Sequence, residues 1–200
     1  MCPRPRSVSD AEVLAATARV IARVGSASLT LAHVGAEVGL APATLLQRFG
    51  SKRGLLLALA KSSADRVEGM FEEVRADQAS PVAALIAAAS LVAQAAETPG
   101  ELVNQLVFRQ ADLQDPDFHQ CALENARRIR DGYRRLVVEA IGDGELSDCD
   151  PDVLARAVES IAGGALASWV VHRDGDAATF VRREVATLLR GYGRGAWARS

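Results

Sequence analysis

The stretch Thr30-Leu31-Ala32-His33-Val34-Gly35-Ala36-Glu37-Val38-Gly39-Leu40-Ala41-Pro42-Ala43-Thr44-Leu45-Leu46-Gln47-Arg48-Phe49 decides the fold of this 200-residue chain. Its spacing predicts two short helices bent sharply against each other. The Thr30 hydroxyl can cap the first. Gly35 leaves room for the second to cross closely, and Gly39 can take the left-handed conformation that a sharp turn needs. Pro42 suits the first turn of the second helix, where its missing N–H has no partner anyway. Val34, Val38, Leu40, Leu45 and Phe49 can then pack between the helices and against the one before. The opposite face shows Ala43, Thr44, Gln47 and Arg48, short and hydrogen-bonding groups suited to base edges and phosphates. Lys52, after Gly50 and Ser51, opens the next helix, whose terminal amides and ammonium together suit a phosphate. A plainer reading of the same residues is an αα-hairpin with a glycine turn, which many non-binding proteins contain.

Working outward, nearly every segment has helical period. Ser9-Asp10-Ala11-Glu12 has capping-box form, and Val13, Ala16, Val20, Ile21 and Val24 make one apolar stripe that Gly25 ends. A single helix is expected from Lys52 towards Arg75, then an alanine-rich one from Pro81 to about Ala96. Others follow from about Glu101 to Ala111, from Asp115-Pro116 to about Ile141, and from Asp150-Pro151 to about His172. The last begins after Asp174-Gly175-Asp176. The expected architecture is all-α with about nine helices. A three-helix helix-turn-helix module spans residues 1–53, and a helical body spans 54–200.

Composition sets the bounds. Hydrophobic residues make up 49% of the chain, enough for a packed core. Cys2, Cys121 and Cys149 have no pairing or metal-like spacing, which fits a reducing compartment. No run approaches the ~18 uncharged apolar residues of a membrane span, and Met1-Cys2-Pro3-Arg4-Pro5-Arg6 is followed by no apolar run. A cytoplasmic protein with no membrane association is expected. Through Arg53 there are seven basic residues against three acidic ones, and the remainder holds sixteen against twenty-two. A basic head on an acidic body suits a chain whose first quarter meets phosphate.

The segment resembles the DNA-binding region of the tetracycline-repressor (TetR) family. The matching residues are Thr30, Gly35, Gly39-Leu40, Thr44-Leu45, Phe49 and Ser51-Lys52, followed by Leu55-Leu56. Three positions depart from that pattern. Leu46 stands where a tyrosine is usual, Arg48 where an aromatic is frequent, and Ala41 where a serine would cap the reading helix. The resemblance implies DNA contacts from Thr30, His33, Pro42, Ala43, Thr44, Gln47, Arg48 and Lys52, on a near-palindromic double-stranded operator. It also implies a homodimer joined through the last two helices, and a regulator, here a repressor, released by a small effector.

In the body, Ile161, Leu166, Val170, Phe180, Val185 and Leu188 offer more apolar surface than one subunit easily hides, although they can equally be its own core. Gly163-Gly164 would weaken their helix by roughly 1 kcal/mol each against alanine, and their use would be close helix approach. Polar groups on apolar faces mark a candidate pocket: Gln105, Cys121, Asn125 and Trp169, with Asn104, Arg109 and His172 nearby. Met70, Phe71 and Phe108 would supply its apolar wall, so a mainly apolar ligand is expected. Taken singly, each of these has a plain core or surface role as its alternative.

Two rival classes remain. His33, His119 and His172 are scattered, with no nucleophile, metal-ligand or phosphate-loop spacing, so no catalytic residue, metal or cofactor is expected. Asp115, Asp117 and His119 invite a metal, but a carboxylate cap explains the aspartates more simply. The other rival is a helical bundle that binds a small molecule or a protein without touching DNA.

Overall fold

The computed structural model describes residues 8–94, 96, 98–110 and 113–194, with the main chain alone at 109 and 110. Cys2, Arg4, Arg6, the side chain of Arg109 and the expected helix end at Ala111 lie outside the described residues. Among those described, ten helices carry the fold: α1 Asp10–Ser28, α2 Leu31–Val38, α3 Pro42–Phe49, α4 Lys52–Asp65, α5 Val67–Asp77, α6 Pro81–Gln94, α7 Pro99–Gln110, α8 Pro116–Gly142, α9 Pro151–His172 and α10 Ala177–Arg190. A lone bridge between Leu146 and Gly193 is the one β-type pairing among them.

Local rules place the head. Ser9 and Glu12 form the reciprocal capping box at the start of α1. Gly25, at φ +77°, interrupts α1 before a last turn to Ser28. Gly39 ends α2 in the left-handed conformation, and the Leu40 amide bonds back to the Gly35 carbonyl at 2.9 Å. Val13, Val20, Ile21, Leu29, Val34, Leu45 and Leu55 bury the faces these helices share.

The expected fourth helix is two, divided at Arg66. The bend serves two separate cores. Leu55, Leu56 and Leu59 of α4 pack into the head, whereas Val67 and Phe71 of α5 pack into the body. One straight helix would aim both sets in one direction. The head's apolar cluster therefore extends past residue 53 to Leu59, and takes in Phe118 from α8.

In the body, α6, α8, α9 and α10 close around Leu85, Val137, Leu154, Val158, Val181, Val185 and Leu189. Phe71 meets Tyr133 edge-on at 5.2 Å, in space that Gly132 leaves open. Two residues expected at a subunit interface are corrected here. Val185 is wholly buried and Leu166 nearly so, both inside the subunit's own core, because the α10 and α9 faces that carry them turn towards α6 and each other. Ile161, Val170, Phe180 and Leu188 are only partly covered. By length and composition α9 could cross a membrane, contrary to the reading of the sequence. Its apolar side instead fills the core beside α8 and α10.

Candidate nucleic-acid interface

Leu45 is fully buried and fixes α3 to the head. The faces that remain outside carry Pro42, Ala43, Leu46 and Gln47, with Thr44 half-buried at their edge. Leu46 is 50% exposed, so an apolar side chain occupies the middle of this face. Ala41 makes no side-chain cap, and the Thr44 amide bonds to the Ala41 carbonyl at 2.9 Å. Thr30 and His33 are exposed at the start of α2, where the Thr30 hydroxyl accepts from the His33 amide at 3.2 Å.

Two expected DNA contacts are engaged elsewhere. The Arg48 guanidinium donates to the Val8 carbonyl at 2.7 Å and reaches Asp10 at 3.4 Å. The extended backbone before α1 leaves that carbonyl outside any helix, so it accepts the nearest strong donor. Lys52 donates to the Ala27 carbonyl at 2.8 Å. The break at Gly25 strips the end of α1 of its regular acceptor pairing, and side chains fill in. Asn104 of α7 serves the same break, its Nδ2 donating to the Ala22 carbonyl at 2.7 Å. It is a link between head and body, which corrects its expected place in a pocket.

Among the described residues, Arg19, Arg23 and Arg53 tie elements together. Arg19 and Arg23 both hold Glu37, at 3.1 and 2.6 Å, and pin α1 to α2. The Arg23 hydrogen bond, then that of Arg19, keeps the Glu37 carboxyl below its ordinary value. Arg53 grips Asp115 with two nitrogens, at 2.9 and 2.8 Å, donates to Asp117 at 2.7 Å, and lies over the Phe118 ring. Asp115 also caps α8 through the Asp117 amide. This fork clamps the head to the body, and the carboxylates read as a possible metal pair are its acceptors.

The clamp has a pH consequence. Hydrogen bonding from Arg53, the largest cause, holds the Asp115 carboxyl below its ordinary value of 3.8. A depressed carboxyl stabilises the fold above its unfolded value, and that contribution is lost as pH falls through the folded one. Asp115→Asn keeps a capping side chain but removes the charge. It should melt below wild type near neutral pH, and the gap should close as the pH drops below 3.8. A gap that persists in acid would show that Asp115 acts by its cap alone.

The expected pocket residues are not brought together. Met70 and Phe71 belong to the body core, Phe108 packs on the head cluster, Cys121 is buried on α8, and Gln105 and Asn125 are half-buried. His172 is exposed at the end of α9. Trp169 lines a cavity of about 210 Å³, with Ala93, Pro99, Leu102, Asp176 and Ala177. Its polar groups are already engaged: the indole N–H donates to the Gly175 carbonyl at 3.1 Å, and Asp176 accepts from the Thr179 amide at 2.7 Å. The head–body clamp at Arg53 was missed by sequence reasoning, since its partners lie 62 and 64 residues away.

Residues 13–59 match the model of bacterial regulatory proteins of the tetR family. No curated protein matches the chain. Among solved structures, a TetR transcription regulator from Haloarcula marismortui superposes with a TM-score of 0.74 at 19% identity, over 92% of this chain and 98% of that one. A TetR-family regulator from Agrobacterium tumefaciens gives 0.74 at 19%, over 92% and 97%. The regulator FadR from Bacillus subtilis, in complex with stearoyl-CoA, gives 0.68 at 19%, over 92% and 99%. At these identities the likeness establishes the fold.

Proposed function

We propose that the chain is a regulator of the tetR type, as its match over residues 13–59 and its fold support, and that it is a cytoplasmic, homodimeric repressor of transcription whose α3 reads a near-palindromic operator. The observation that carries this reading is α3 itself. Its inner side is locked by Leu45, and its outer side offers Ala43 and Gln47 with no neighbouring element across them. Bases are read by such short and amide side chains in the major groove. Thr30, His33 and Pro42 flank them, Thr44 sits at the edge, and Lys52 keeps two further N–H donors for phosphate beyond the one given to Ala27. The enriched sequence from random duplex fragments tests the reading. Two inverted half-sites about one helical turn apart, or a multiple of it, are expected. No enrichment would reject it.

The dimer face we assign to α9, where Ser160, Gly163, Gly164, Ala167 and Val171 recur at helical spacing and all are exposed. Val171 is 75% exposed. A side-chain carbon added at Gly163 or Gly164 would meet nothing within 4 Å. Among the described residues nothing packs against these glycines, which supports close approach by a second copy. Gly164→Leu should give a folded monomer by sedimentation, with α9 itself strengthened by up to roughly 1 kcal/mol. A variant that stays dimeric would move the interface elsewhere.

For the effector, the cavity beside Trp169 supports a small, mainly apolar ligand. Leu102 on its wall and Asn104 at the α1 break share α7, so a ligand that shifts α7 would bias the head. A coupling of roughly 1–3 kcal/mol gives a roughly 5- to 150-fold change in operator affinity.

A further inference from the structure

The outward side of α3 is poor in charge. Arg48 is bonded to the Val8 carbonyl and Asp10, which leaves Pro42, Ala43, Leu46 and Gln47 exposed along the helix. Leu46 stands out among them. Of the described residues through Arg53, Val24 and Leu46 are the large apolar side chains left exposed, and Leu46 is the one on α3. Its neighbour Leu45 is fully buried and fixes the helix, while Leu46 is 50% exposed. Alanine forms helix at least as well, so neither the helix nor the head's core accounts for a leucine here. Pro42 and Ala43 lie four and three residues before it, on the same side. Gln47 is one step on, about 100° round the helix. The three make an apolar strip beside the amide assigned to base reading.

We propose that Leu46, with Ala43 beside it, is a specificity-determining residue that seats the C5-methyl group of a thymine in each operator half-site. This rests on the DNA-binding reading above and names the base that its apolar strip takes. Base edges in the major groove present hydrogen-bond donors and acceptors, and the one apolar group among them is the thymine methyl. A leucine set against any other edge would strip water from polar atoms and give them no partner. Set against the methyl, it takes two apolar surfaces out of water together. Arg48, the side chain of α3 that could fork onto a guanine, is held by the Val8 carbonyl instead.

Deoxyuridine in place of thymidine removes that methyl and changes no hydrogen-bonding group. The full-length chain is titrated with the duplex enriched from random fragments, and with copies in which thymines are replaced symmetrically, one position of the half-site at a time. One buried methyl corresponds to about fourfold in affinity, so replacement at the position facing Leu46 should cost wild type about fifteenfold over two half-sites. Leu46→Ala should bind the thymine and uracil duplexes equally, whereas Leu46→Met should keep most of the preference. The Leu46 carbonyl, which accepts from the Gly50 amide at 2.8 Å, is untouched by either change. All three chains should therefore melt together. The proposal is overturned if wild type is indifferent to every such replacement, or if Leu46→Ala keeps the wild-type preference. A Leu46→Ala chain that melts well below wild type would give the leucine a packing role, and one that changes its sedimentation would assign the strip to a second copy; either overturns the proposal. Wild type that enriches no duplex at all rejects the DNA-binding reading itself, which keeps the two failures distinct.

Discussion

Gly54→Ala is expected to destabilise the head by about 3 kcal/mol, the upper end of what overpacking does. Gly54 lies in the first turn of α4, just inside its Ser51 cap. A side-chain carbon there would overlap the Phe49 carbonyl oxygen. That oxygen is backbone at the end of α3, so no rotamer change relieves the clash; α3 and α4 must separate. The same substitution at Gly69, also helical, meets nothing within 4 Å. There alanine should be neutral or stabilising by up to roughly 1 kcal/mol. Thermal unfolding of the two variants reads the contrast. At roughly 2–4 °C per kcal/mol for a domain of this size, Gly54→Ala should melt about 10 °C below wild type. Equal melting of the two would mean that the α3–α4 corner is looser than described.

Gln47→Ala is expected to weaken binding to the enriched duplex by about 10²-fold. A well-placed amide on a base edge is worth about 1–3 kcal/mol of discrimination, and a dimer loses one in each half-site, about 3 kcal/mol together. Binding to mixed-sequence DNA should not change, because no phosphate contact is removed. Titration of both duplexes in one salt separates these effects. Equal loss on the two would make Gln47 a backbone contact.

The parts of the fold that obey local rules were legible in the sequence. Gly39, Pro42, the Thr30 cap and the Ser9–Glu12 box each act within four residues, and each occurs where its residue type demands. Distance defeats such rules. The Arg53 fork and the Asn104 link join residues 62 and 82 apart, and no spacing announces them. An amphipathic stripe also cannot say what covers it: Val185 and Leu188 lie three residues apart on one side of α10, yet one is core and the other only partly covered. The bend at Arg66 was hidden for a related reason. The apolar stripe runs through it unbroken, and only the presence of two cores gives it direction. Arg48 shows the limit within the site itself, since exposure of its helix face was predictable but the competing Val8 carbonyl was not.

Hydrogen exchange of the full-length chain, with and without the enriched duplex, tests the central claim most directly. The account predicts slowed exchange concentrated in residues 30–52, with the outer turns of α8, α9 and α10 unchanged. Protection absent from α3, or appearing in the body instead, would contradict it.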